Sequence, residues 1–187
     1  MDKLVIDVET KNTFAEVGGQ ANIRALKISF VGLYSYNHDA LFGFHEEDLP
    51  KLGPILQGAG LLIGHTINAF DVPVLNAHFP FNLFAIPRID LLEEIEMNFG
   101  RRVGLDALAK ANLNAGKTGH GLHAVTLYRE GRLGELRDYC LHDVRLTRDL
   151  YELAKRQGYL YVPERESGEL VKVPLHLKET ALATTLF

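Results

Sequence analysis

The chain reads as an α/β fold built on a mixed sheet, with a β-hairpin near its C-terminal end. Three observations predict this. Short apolar, β-branched runs open the sequence, runs of helix and strand then alternate, and helical periodicity takes over from about residue 92.

In order, KLVIDVE is a short apolar run suited to a buried strand, and a polar, Gly-containing loop covers about residues 10–23. Residues 25–36, ALKISFVGLYSY, and 40–45, ALFGFH, form two strands around a turn at Asn37, His38 and Asp39. Residues 46–57 predict a helix with Pro50 near its first turn, where proline is tolerated. LLIGHT is a further strand, and residues 70–79 predict a helix carrying Asp71 and Pro73 in its first turn. RIDLL adds a strand, and three helical segments fill residues 92–157. Beyond Gly158, two β-rich runs flank ERESGE, a hairpin pattern over about 159–175 that suits a cap on the sheet or a dimer or partner surface.

The 187 residues are long enough for one well-filled domain and short for two. A composition of 47% hydrophobic and 24% charged residues is that of a soluble globular chain, and no apolar run approaches the ~20 residues that span a bilayer. The first ten residues, MDKLVIDVET, lack the basic and apolar regions of a signal peptide. The single cysteine, Cys140, excludes an intrachain disulfide framework, suits a reducing cytoplasm and reads as a small buried hydrophobe. A net charge of −4 argues against a protein that coats nucleic acid electrostatically, though not against one that grips a few phosphates through metal ions. The basic pairs Arg101–Arg102 and Lys155–Arg156 read as solvated surface.

Three clusters carry the chemistry. Asp7 and Glu9 project from one face of the first strand, because residues i and i+2 share a face. Asp71 stands at a helix start after the strand LLIGHT and a short turn. Tyr139 and Asp143, in RDYCLHDVRL, lie four apart on one side of a helix. Taken singly, each has a plain structural use: solvated charges at a strand end, a helix-capping aspartate, a core tyrosine with a surface ion pair. Two carboxylates aimed together repel each other unless a cation lies between them, and oxygen-only ligands suit Mg²⁺ or Mn²⁺.

Together, DxE on a first strand, FD near residue 70 and YxxxD near residue 140 resemble the DEDD exonucleases, in the branch whose third motif carries tyrosine. Those enzymes share the ribonuclease H-like fold and are related to the proofreading domains of family B DNA polymerases. The histidine branch would place its histidine five residues before the last aspartate, where Asp138 stands. The adjacent His142 faces ~100° away from Asp143. The resemblance extends over about residues 4–160, and the stretch from GLDALAKANLNAGKTGHGLHAVTLYREG to the end of the long helix looks like stand-alone bacterial members. One departure is visible: the asparagine that the family carries ahead of its Phe-Asp pair falls where Thr66 stands, with Asn68 nearer the pair.

The resemblance implies a single exonuclease domain over 1–187, with a core of about 4–158 and a hairpin extension. It implies two divalent cations held by Asp7, Glu9, Asp71 and Asp143, with Asp7 as bridge, Glu9 touching the 3′-terminal nucleotide and Tyr139 orienting the attacking water. The substrate class is single-stranded nucleic acid with a free 3′ end, DNA ahead of RNA. A phenol is a poor base near pH 7, since its unperturbed pKa is ~10, so Tyr139 is a positioner and proton removal falls chiefly to metal activation. Candidate substrate contacts are Thr10, Phe14 (able to stack on a base), Thr66, Asn68, Phe70 and Lys117, the last in a Gly-rich loop.

Other chemistries fit less well. Gly116-Lys117-Thr118 ends like a phosphate loop, but Ala111 stands where the first glycine belongs and no strand leads in. His120 and His123 have neither cysteine partners nor an HExxH context for zinc. A carboxylate-pair glycosidase needs an aromatic sugar cleft, and the chain has no tryptophan. The alternative within the same fold is a non-catalytic nucleic-acid-binding or protein-docking domain, against which the intact carboxylates speak. No motif supports a helicase or polymerase partner or sets an oligomeric state.

Overall fold

The computed structural model describes residues 1–116 and 121–179, the side chains of Gly121 and Leu122 excepted. Strand β1 (Asp2–Thr10) is the middle of a five-stranded mixed sheet of order β3-β2-β1-β4-β5. It pairs antiparallel with β2 (Ile28–Ser35), which pairs antiparallel with β3 (Ala40–His45). On its other side it runs parallel to β4 (Ala59–Gly64), which is parallel to β5 (Arg88–Asp90).

Because β1 is covered on both faces, its middle is apolar on both, with Leu4, Val5 and Ile6 in succession. Leu4, Ile6 and Val8 pack with Leu52 and Leu56 of α1 (Leu49–Gln57) and with Val72 and Leu75 of α2 (Asp71–Asn76). Val5 faces the opposite way, into a core with Val144, Leu150 and Tyr151 of the long helix α6 (Leu133–Gln157). The hairpin of β6 (Tyr159–Pro163) and β7 (Leu170–Pro174) contributes Leu160, Val162 and Val173 to that second core. The Asn112 amide closes the β6 edge, accepting from the Tyr161 N–H and donating to its carbonyl at 2.8 and 2.7 Å.

Several boundaries differ from those expected. The strand predicted over 25–36 begins at Ile28, because Ile23–Leu26 closes a 3-10 turn and the Lys27 N–H donates to the Asn12 side chain. The helix predicted over 70–79 is only Asp71–Asn76. Phe70 has non-helical φ/ψ at its start, and Pro80 follows closely, disfavouring helical backbone before it. The RIDLL strand stops at Asp90, whose side chain accepts from the Leu92 N–H and so caps a helix. Among the described residues, the stretch expected to hold three helices holds four: α3 (Leu91–Phe99), α4 (Leu105–Leu113), α5 (Gly121–Arg129) and α6. Two of these helices end at left-handed residues, α3 at Gly100 with φ 82° and α4 at Asn114 with φ 52°. Among the described residues no helix is long and apolar enough to cross a membrane.

Candidate active site

Asp7 and Glu9 sit on the α6 side of β1, near its C-terminal end. The register slips there between Glu9 and Thr10, so that Glu9 faces Phe30 and Thr10 faces Ile28. Such bulges re-aim side chains where a strand leaves its sheet. From α6, Tyr139 and Asp143 project one turn apart, both buried. Their closeness to Asp7 depends on Gly32, the antiparallel partner of Asp7 in β2. A Cβ on Gly32 would stand 3.0 Å from both Cys140 Sγ and Val144 Cγ2, so the missing side chain lets α6 settle onto the strand.

Asp71 arrives from the other side of the sheet. β4 ends at Gly64, and the Val8 N–H, between the two β1 carboxylates, donates to Asp71 Oδ1 at 2.8 Å. A strand amide that would otherwise lack an acceptor thus fixes the third carboxylate. The turn that delivers Asp71 is held by the buried carboxylate of Asp90, which accepts from the Thr66, Asn68 and Leu92 N–H groups at 2.9, 3.0 and 3.0 Å. Thr66 itself is left-handed at φ 76°, a conformation that a β-branched residue adopts only under such constraint.

These elements enclose one cleft of about 660 Å³. Asp7, Glu9, Asp71, Tyr139 and Asp143 all line it, as do Phe14, Thr66 and Phe70. The rings of Phe14 and Phe70 meet edge to face at 5.9 Å on one wall. Glu16 holds the loop bearing Phe14, through the Thr13 N–H at 2.8 Å and Arg129 of α5 at 2.6 Å.

Two expected contacts lie elsewhere. Thr10 does not line the cleft; its buried hydroxyl donates to the Asn12 carbonyl at 2.9 Å. Asn68 is turned away too, its amide engaged by Arg88 at 2.8 Å and Glu93 at 2.6 Å. Lys117 and His120 lie outside the described residues.

The sequence reading missed other neighbours of the site. Cys140 is buried as expected, yet its thiol lies 3.2 Å from Asp7 Oδ2 and 3.4 Å from the Asp7 carbonyl. Potential ligand atoms of Asp7, Glu9 and Cys140 fall within 4.8 Å of one another. His65 and Arg102 also line the cleft. Only the spacing of Cys140, three residues before Asp143, carried a signal, since residues three apart share a side of a helix.

The electrostatics of the site have a common origin. Burial, and next the charge of Asp7, push the Asp71 carboxyl well above the usual carboxylate range. Burial, followed by Glu9, Asp143 and Asp7, raises the Tyr139 phenol, which therefore keeps its proton. Burial, Asp7 and Glu9 likewise raise the Cys140 thiol, leaving it a hydrogen-bond donor to Asp7. Negative charge crowded in poor solvent is what an oxygen-ligated divalent cation offsets, so this donor set fits such an ion.

The strand order, the mixed pairing and the flanking helices fit a ribonuclease H-like fold. The structure is similar to that of the family B DNA polymerase from the hyperthermophilic archaeon Pyrobaculum calidifontis, with a TM-score of 0.63 and 16% identity. The match covers 83% of this chain and 24% of the polymerase chain, so the chain corresponds to about a quarter of that protein. Comparison with known protein families and with curated proteins gives no match.

Proposed function

We propose that this chain is a metal-dependent 3′→5′ exonuclease of the tyrosine-bearing DEDD type, hydrolysing single-stranded nucleic acid, DNA ahead of RNA, from its 3′ end and releasing nucleoside 5′-monophosphates. The observation that carries the reading is the meeting of Asp7, Glu9, Asp71, Tyr139 and Asp143, from three distant stretches of chain, in one cleft. The likeness to a family B DNA polymerase supports it through the fold. The whole chain would act as a single exonuclease domain, with the hairpin as an extension of its core.

Asp7, Glu9, Asp71 and Asp143 would hold two divalent cations, Mg²⁺ or Mn²⁺. When bound, such ions lower the pKa of water and neutralise charge on the attacked phosphate and the leaving oxygen. The protein's share is placement. The Cys140 thiol and the β1 backbone fix Asp7, and the Val8 amide fixes Asp71. Tyr139, kept as a phenol, offers a hydrogen bond that orients a water without taking its proton. Phe14 and Phe70 present an aromatic wall on which a terminal base can stack, a contact that tolerates any base. Thr66 lines the same cleft.

The test is to incubate 5′-labelled DNA and RNA oligonucleotides with the protein in Mg²⁺, Mn²⁺ or EDTA. The expected result is a ladder shortening from the 3′ end, stronger on DNA and abolished by EDTA. Binding without degradation in either metal would instead establish a non-catalytic domain on the same fold.

A further inference from the structure

Arg101 and Arg102 read in sequence as one basic pair on the surface, but the fold gives them different surroundings. Arg101 turns to the hairpin, where its guanidinium donates to the Pro163 carbonyl and lies 4.9 Å from the centre of the Phe99 ring. Arg102 lines the cleft. Its nearest acidic partner, Glu96, is 3.8 Å away with both side chains roughly half exposed, a pair too long and too wet to hold the guanidinium. The backbone beneath it is firm. Val103 is buried, and its carbonyl accepts from His65 Nε2 at 2.9 Å, tying this connection to the turn that carries Thr66. Gly104, next along, leaves the approach open, since nothing lies within 4 Å of where its Cβ would be.

The charge balance of the cleft makes this arginine significant. Its described lining residues include five carboxylates, and Arg102 supplies the one guanidinium or ammonium group. Asp106, beside it, is engaged by Lys110 at 2.7 Å. An anionic strand entering such a cleft meets repulsion wherever metal ions do not cover it. A planar guanidinium on a fixed backbone offsets that repulsion by binding phosphate oxygens in pairs.

We infer that Arg102 is a phosphate-binding residue, holding a backbone phosphodiester of the single strand whose 3′ end occupies the carboxylate site. The inference rests on the exonuclease reading for the identity of the strand.

The experiment measures binding of a 5′-fluorescein oligothymidylate by anisotropy, and KM and kcat for its degradation in Mg²⁺, over 50–200 mM salt. Arg102→Ala should weaken binding and raise KM by roughly tenfold or more, the loss expected for one charge-assisted hydrogen-bonding group, with the effect falling on KM rather than kcat. The slope of log affinity against log salt should become shallower by about 0.7, as for one phosphate contact on a single strand. Arg102→Lys should restore the salt slope but only part of the affinity. Arg101→Ala, which loosens the hairpin, should lower Tm and leave the salt slope alone. An Arg102→Ala variant with wild-type affinity, or with weakened affinity but an unchanged salt slope, overturns the inference. Wild-type binding without degradation overturns the exonuclease reading, while the anisotropy arms still decide the role of Arg102.

Discussion

Gly32→Ala tests whether the close seating of α6 on the sheet builds the site. The added methyl would stand 3.0 Å from Cys140 Sγ, 3.0 Å from Val144 Cγ2 and 3.3 Å from Leu141 Cδ2. Comfortable carbon contacts lie at about 3.5–4.0 Å, so the methyl is short of room by roughly 0.5 Å on two sides. Cys140 and Val144 are both fully buried and have nowhere to retreat. Overpacking of this kind costs ~1–3 kcal/mol, against ~0.4–1 kcal/mol regained by stiffening the unfolded chain. The net loss, up to ~2.6 kcal/mol, corresponds to a fall in Tm of up to ~10 °C for a chain of this length. The helix can relieve the clash only by moving outward, taking Tyr139 and Asp143 away from Asp7. Since a 1 Å misplacement can cost ~10²-fold in rate, a shift of half that should slow single-turnover cleavage by ~3–10-fold at temperatures where the variant is folded. Thermal melts and single-turnover cleavage of a labelled oligonucleotide measure the two effects. Adding Cys140→Ala removes one of the clashing atoms, so the double variant should lose less stability than the sum of the single changes. Wild-type Tm with a wild-type cleavage rate in Gly32→Ala would refute the reasoning.

The remaining predictions concern the carboxylates and their supports. Asp7→Ala should lower kcat at least a thousandfold, about 4 kcal/mol of transition-state stabilisation, and Tyr139→Phe should cost at least tenfold less, both by steady-state assay of folded protein. Asp90→Ala strips three backbone N–H groups of their acceptor and should lower stability by about 3 kcal/mol or more, read as a Tm drop of ~6–12 °C. Burial pushes the Glu179 carboxyl up, but Lys155, Tyr151 and Lys3 outweigh it and hold it at about 2, below its ordinary 4.5. A depressed carboxylate stabilises the fold above its unfolded pKa, so the Tm gap to Glu179→Gln, at most ~4 °C for so open a pair, should persist at pH 7 and vanish as pH falls from 4.5 through about 2. Mg²⁺ or Mn²⁺ at a hundred times its dissociation constant should add ~2.7 kcal/mol, a rise in Tm of ~5–11 °C by differential scanning fluorimetry. Asp7→Asn should abolish that rise while melting above the metal-free wild type, because the charge of Asp7 adds to burial in raising Asp71 and its removal relieves that repulsion.

What the sequence made legible was local. The two-residue spacing of Asp7 and Glu9 and the four-residue spacing of Tyr139 and Asp143 are periodicities of a strand and a helix, and both pairs face the cleft. The hairpin after Gly158 was equally local, marked by its turn residues. Contacts across the fold were not legible. Asn68 stands near the Phe-Asp pair in sequence, but Arg88 and Glu93, more than nineteen residues on, claim its amide. The division of labour between Arg101 and Arg102 depends on where the hairpin folds back, and no window of sequence around the pair contains that information. The short helix after Phe70 was overestimated because its apolar residues continue into Phe79 while Pro80 ends the backbone pattern.

The way the carboxylates reach the cleft explains how a stable fold tolerates them. No element carries the whole burden: β1 brings two, α2 brings one at its first residue, and α6 brings one on its sheet-facing side. In the unfolded chain these groups are far apart and hydrated, so their repulsion belongs to the folded state and opposes folding. The supports found around them act on that cost. Asp71 takes an N–H that β4 leaves unanswered, Asp7 takes a buried thiol, and Asp90 pins the turn between two strands of the same sheet. Each is a hydrogen bond to a carboxylate, the kind worth most where solvent is scarce. Their combined effect is to hold negative groups at fixed positions, so that the proposed ions would meet a formed site rather than order one. A purely structural ion network would be expected to place bases among these acids; here the described guanidinium of the cleft, Arg102, is only loosely paired, to Glu96. The acidic floor and this described guanidinium together suit the proposed substrate, a single strand drawn by its phosphates toward carboxylates that would hold metal ions.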